Sequence, residues 1–168
     1  MEPQKEKRSG PERPSRSGDA GSRDDPMSAA FAEARAAHAR GEAPIGAAIA
    51  CEGAVIARSG NRTRELSDPT AHAELLAIRA AAARIGSERL VGCDLYVTLE
   101  PCAMCAGAIS HARIRRLYYA APDPKGGAVE HGARFFGLST CHHTPETYGG
   151  LREREAAELL RAFFEARR

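Results

Sequence analysis

Two short strings constrain this chain more than anything else in it: His72-Ala73-Glu74, and Pro101-Cys102-Ala103-Met104-Cys105. Each stands where a helical pattern begins. A thiolate pair with two intervening residues on a first helical turn can address one tetrahedral ion with both sulfurs, and a helix N-terminus favours the thiolate forms. One imidazole completes three protein ligands and leaves a fourth place for solvent, the pattern of a catalytic rather than a structural zinc. The fold must therefore set two helix mouths side by side. A tension accompanies this reading, because residues two apart on a regular helix project to nearly opposite sides. His72 and Glu74 share a site only if His72 lies at an irregular helix mouth or the site wraps around that end.

The surrounding pattern supplies the elements. Ser28 is the expected N-cap of an Ala-rich helix ending near Gly41. Residues 45–51 and 54–58 read as strands joined at Glu52-Gly53. Asp68 and Pro69 are expected to cap and open the next helix, with Leu75, Ile78, Ala82 and Ile85 as its apolar face and Gly86 as its stop. A strand at 95–99 leads into a helix near Cys102, and a strand at 113–120 and a helix at 151–168 follow. Helices alternating with strands predict an α/β architecture with helices on both faces of a sheet, and the opening hairpin makes that sheet mixed.

The 168 residues suit one domain, and with aromatics at 5% and no Trp its core must come mainly from Ala, Leu, Ile and Val. Residues 1–26 offer almost nothing to bury and are expected to form a disordered extension ahead of a domain at 27–168, with Met27 a candidate true start. A net charge of +2 allows a polyanionic partner without demanding one. There is no apolar run of membrane-spanning length and no signal-like segment, so a cytoplasmic setting is expected. In a reducing compartment, five cysteines with one C-x-x-C pair point to metal or redox chemistry rather than disulfides. Cys51 and Cys93 then read as small buried hydrophobes. Cys141, His142 and His143 are too close together in sequence to suit a second tetrahedral site.

Together, the two strings resemble the zinc signature of the cytidine-deaminase-like superfamily. Asp68-Pro69-Thr70-Ala71-His72-Ala73-Glu74 and Val97-Thr98-Leu99-Glu100-Pro101-Cys102 are similar, more narrowly, to the bacterial tRNA-specific adenosine deaminases, a likeness spanning residues 27–168. The resemblance implies a three-layer α/β/α sandwich around a mixed five-stranded sheet. It implies one zinc per subunit on His72, Cys102 and Cys105, with Glu74 carrying protons. The implied reaction converts the wobble adenosine of a tRNA anticodon stem-loop to inosine, hydroxide on the zinc adding to C6. It also implies a homodimer whose partner subunit helps shape the pocket.

By the same likeness Asn61 would hold the target nucleotide, Asp123 would meet a ribose hydroxyl or base, and Lys125 a phosphate. Read from the residues alone, Asn61 closes a turn after Gly60, and Asp123 and Lys125 lie in a polar turn. Phe163 and Phe164 stand among Arg161, Arg167 and Arg168, a composition that can stack bases, with Phe163 expected in the core. His142-His143, residues 129–136 and Tyr148-Gly149-Gly150 depart from the family's usual pattern. Three alternatives stand beside this reading: a free guanine or cytosine base or nucleoside deaminase with the same metal residues, a C-x-x-C redox protein, and a non-catalytic zinc module.

Overall fold

The structure, a computed structural model, describes residues 25–167. The disorder expected of residues 1–26 falls, as far as residue 24, outside the described residues. Helix α1 (Pro26–Ala39) starts on Asp25-Pro26, not on Ser28. The Asp25 carboxylate accepts from the Ser28 amide at 2.9 Å and its hydroxyl at 2.8 Å, so Ser28 is the donor and Asp25 the cap. Proline at the first position loses nothing, since that amide has no partner inside a helix.

Strands β1 (Gly46–Cys51) and β2 (Ala54–Gly60) form the expected hairpin. Glu52 and Gly53 both take positive φ, 52° and 77°, the conformation whose twist suits a two-residue hairpin turn. Then come α2 (Ala73–Ile85), β3 (Cys93–Leu99), α3 (Ala103–His111), β4 (Arg116–Ala121), β5 (Glu146–Tyr148) and α4 (Glu153–Glu165). Sheet order is β2-β1-β3-β4-β5, with β1 antiparallel to both neighbours and β3, β4 and β5 mutually parallel. This is the expected mixed five-stranded sheet. Its fifth strand is three exposed residues, too short for any alternation to announce it.

Side chains alternate cleanly between two cores. Ala47, Ile49, Leu95, Val97, Leu117 and Tyr119 pack with Ala73, Ala77, Ala81 and Ile109 of α2 and α3. Ala48, Ala120 and the flanking Tyr96 and Tyr118 pack against Met27, Ala30 and Phe31 of α1 and Ala156 of α4. The layers are α2 and α3, the sheet, and α1 and α4. Close approach requires small residues: a Cβ on Gly46 would lie 2.0 Å from the Ala30 carbonyl oxygen.

Three further expectations differ from what the fold adopts. Helix α2 opens at Ala73 rather than Pro69, because the Asp68 Oδ1 is taken by the Thr70 amide (2.8 Å) and hydroxyl (2.7 Å) in a local turn. Its fully buried stripe is Ala73, Glu74, Ala77 and Ala81; of the expected face, Ile78 and Ala82 pack part-buried against the core, while Ile85 is 46% exposed, so the alanines set the helix close on the sheet. Gly86 ends it in the left-handed conformation, as expected. Cys51 and Cys93, expected as small buried hydrophobes, are instead disulfide-bonded, with Cys93 buried: the β1–β3 register sets them opposite each other, with Cα atoms 4.3 Å apart. Among the described residues no helix is long and apolar enough to cross a membrane.

Candidate active site

The tension between His72 and Glu74 is resolved by where α2 begins. His72 is the residue before the first helical turn, with extended backbone (φ −74°, ψ 150°). Its ring therefore leaves the chain in a direction no helical residue would take, while Glu74 projects from the first turn. Cys102 holds the equivalent place before α3 (φ −73°, ψ 174°), and Cys105 lies buried in that helix's first turn. Neither His72 nor Cys102 caps its own helix with its side chain. Both side chains are free to face the space between the two mouths.

The three donors converge there. The His72 Nδ1 is 3.7 Å from the Cys102 Sγ and 3.6 Å from the Cys105 Sγ, and all three atoms lie within 4.8 Å of one another. Zinc bonds of about 2.3 Å to sulfur and about 2.05 Å to nitrogen at tetrahedral angles require N···S separations of about 3.6 Å. Both N···S separations match that value, so the donor set suits zinc. No fourth His, Cys, Asp or Glu joins the cluster among the described residues, so a tetrahedral ion keeps one place for solvent.

Proton affinities are shaped by the same packing. The Cys102 thiol is pushed down to about 4, chiefly by the hydrogen bond from Cys105 and then by His72 and the Cys105 amide. Cys105 moves the other way because it is the donor to that thiolate, and His72 is raised by its hydrogen bond to Cys102. A metal ion takes the place of those protons. Glu74 is 4% exposed, and burial lifts its carboxyl to about 7; the charge on Cys102 adds to this, against its own amide and His72. A carboxyl poised near neutrality can both take and give a proton at working pH.

Asn61 follows β2 directly and is buried. Its Oδ1 accepts from the Ala73 amide at 3.0 Å, so it closes the mouth of α2 where His72 does not. Its own amide donates to Ile45 and its carbonyl accepts from Arg40. This is neither a simple turn nor a free recognition group: Oδ1 is committed to the helix.

Two rims flank the mouths, each gathered round a buried glutamate that the sequence reading missed. Glu42 accepts from the amides of Arg64 (2.9 Å) and Glu65 (2.8 Å) and from the Thr63 hydroxyl (3.3 Å), shaping the turn before His72. Glu100, at the end of β3, accepts from the amides of Asp123, Val129, Glu130 and His131 at 2.9–3.1 Å and from His131 Nδ1 at 2.8 Å. Burial works to raise the Glu100 carboxyl, but those donors outweigh it and hold it below the usual range. Gly127 is obligatory in this loop, since a Cβ would stand 2.5 Å from the Asp123 carbonyl oxygen and the Glu100 carboxyl carbon. The only sequence signal was an acid between an apolar strand and Pro101, with no nearby cation.

The remaining candidates scatter. The Asp123 Oδ1 accepts from the Lys125 (3.1 Å) and Gly126 (2.9 Å) amides, and Lys125 is exposed on the rim. Phe163 is in the core under the Arg167 guanidinium, 3.7 Å from its ring centre, while Phe164 is exposed. The Cys141 thiol donates to the His143 carbonyl, and His143 Nε2 donates to that of Ile114, so these side chains build a loop rather than a second metal site.

Residues 22–121 match the cytidine and deoxycytidylate deaminase zinc-binding region. A tRNA-specific adenosine deaminase of Agrobacterium fabrum is 65% identical over 142 residues, covering 84% of this chain and 93% of its own. A solved structure from studies of A-to-I editing by tRNA:A34 deaminases at the wobble position of transfer RNA superposes with a TM-score of 0.79 at 65% identity, covering 80% of this chain and 98% of the other. A guanine deaminase from Nitrosomonas europaea superposes with a TM-score of 0.70 at 27% identity, covering 82% of each.

Proposed function

This chain belongs to the zinc-binding cytidine and deoxycytidylate deaminase family, and from that premise we propose that it is a tRNA adenosine deaminase converting the wobble adenosine of an anticodon stem-loop to inosine. The observation that carries the chemistry is the triangle of His72, Cys102 and Cys105 with the buried Glu74 beside it. The choice of substrate is supported by the relatives whose names and structures specify tRNA.

Zinc is the cofactor; held by His72 Nδ1 and the two sulfurs, it supplies a Lewis-acidic centre that makes water nucleophilic near neutral pH. The protein's own groups do the rest. An adenine taken out of its stack enters between the helix mouths. Glu74 accepts the proton of the attacking water and passes it to the purine ring nitrogen; it then takes the second proton from the hydroxyl added at C6 and delivers it to the amine, so that the C–N bond breaks, the carbonyl forms and ammonia leaves. Asn61, its Oδ1 occupied by α2, turns its Nδ2 to the purine edge. Asp123 and Lys125, on the rim that Glu100 holds, face the ribose and phosphates of the flanking nucleotides. The working unit is a homodimer; the exposed apolar side chains of Met104, between the two cysteine ligands, and of Leu138 suit a subunit contact beside the site.

The test is to incubate the zinc-loaded protein with a tRNA bearing adenosine at the first anticodon position and sequence the product. Guanosine-like reads at that base are the expected result. The structural likeness to a guanine deaminase favours one competing reading. Ammonia release from free guanine with an unchanged anticodon would establish that reading instead.

A further inference from the structure

Tyr119, on β4, is 1% exposed, and its hydroxyl is the one buried side-chain nitrogen or oxygen among the described residues that meets no hydrogen-bond partner. Native interiors rarely tolerate such a group. The chain is wrapped tightly against it. A Cβ on Gly149 would fall 2.5 Å from the ring and its hydroxyl, and Gly150 turns away with φ +87°. The hydroxyl opens instead onto a recess of about 210 Å3 bounded by Pro122, Glu130, Gly149, Gly150 and Glu153.

Two of those walls are carboxylates. Among the described residues neither Glu130 nor Glu153 takes part in an ion pair. Burial pushes the Tyr119 phenol above its ordinary range, and the Glu130 carboxylate, towards which its proton is directed, and the charge of Glu153 push it the same way, so the hydroxyl stays neutral and keeps its proton. The lining holds no thiol or imidazole, so soft metals find no ligand here.

We propose that this recess binds a hydrated divalent cation of the magnesium type, held by the Glu130 and Glu153 carboxylates, with the Tyr119 hydroxyl bonded to its water shell. Magnesium sheds water reluctantly and is commonly held through one or two carboxylates with several waters retained. At about 30 Å3 per water, the recess accommodates an ion with its inner shell. The cation bridges the rim loop, whose Glu130 amide is already bonded to Glu100, to the first turn of α4 that carries Glu153. This site is independent of the zinc cluster and of the substrate proposed above.

Calorimetric titration of the zinc-loaded full chain with magnesium chloride at constant ionic strength tests this directly. One saturable magnesium per chain is expected. Glu130→Gln with Glu153→Gln should weaken binding by about tenfold or more, and Tyr119→Phe by a few-fold, since it removes only a contact to the water shell. Manganese as a paramagnetic probe should broaden the amide resonances of Gly149 and Gly150 first. Glu153→Gln alone, on an exposed helical turn, guards against a folding failure in the double variant. No saturable magnesium in the wild type, or binding unchanged in both the single and double glutamate variants, would overturn the proposal.

Discussion

Replacing Glu100 with glutamine tests the idea that one buried carboxylate organises the rim of the site. Its Oε1 accepts from the Val129, Glu130 and His131 amides, and its Oε2 from the Asp123 amide and His131 Nδ1. Glutamine matches the shape but carries one acceptor. With its oxygen in the Oε1 place, its NH2 faces two donors that lose their partner. Hydrogen bonds to a charged group contribute about 1.5–3 kcal/mol each, so two lost contacts set an upper range of about 3–6 kcal/mol. The Asp123 amide and the His131 ring, which is 37% exposed, can turn to water, which brings the expected loss to about 2–4 kcal/mol. For a chain of this size that lowers the melting temperature by about 4–16 °C, at about 2–4 °C per kcal/mol. Urea unfolding of the zinc-loaded protein measures the loss, and kinetics on an anticodon stem-loop measure the displaced rim as a fall in kcat/KM. A Glu100→Gln protein with stability within about 0.5 kcal/mol of the parent, a change typical of unimportant surface sites, and unaltered kinetics would refute the reasoning.

Other outcomes follow from the same geometry. Glu74→Gln should keep its zinc, measured by elemental analysis, while turnover on the stem-loop falls by about 10²–10⁴-fold or more, the usual contribution of a positioned acid–base group; surviving activity would remove Glu74 from the proton path. Cys102→Ala should lose the metal, because two donors cannot hold it against competition from a mild chelator, and the variant should melt earlier than the zinc-loaded parent. Full zinc retention in that variant would mean that the ion sits elsewhere. Gly46→Val should fail to accumulate as folded protein, since its Cβ would overlap the Ala30 carbonyl and the Ala34 amide of α1; a well-folded variant by circular dichroism would show that α1 does not lie so close.

Much of this protein is local and so was legible in the one-dimensional string. Glu52-Gly53 between two apolar runs determined the hairpin, Gly86 the end of α2, and the ligand spacing the donor set, because each depends on neighbours a few residues away. What the string left undecided depends on contacts across the fold. Asp68-Pro69 has every local mark of a helix start, yet the chain delays until Ala73, and that delay is what frees His72 to share an ion with two cysteines. Cys51 and Cys93 meet only through the register of β1 on β3, and three residues of β5 become a strand only because β4 is beside them. Glu42 and Glu100 look like ordinary solvated acids until loops distant in sequence deliver their amides. Periodicity and turn chemistry are short-range and survive in sequence, whereas the burial of a carboxylate depends on which distant backbone donors reach it, and only the assembled tertiary structure decides that.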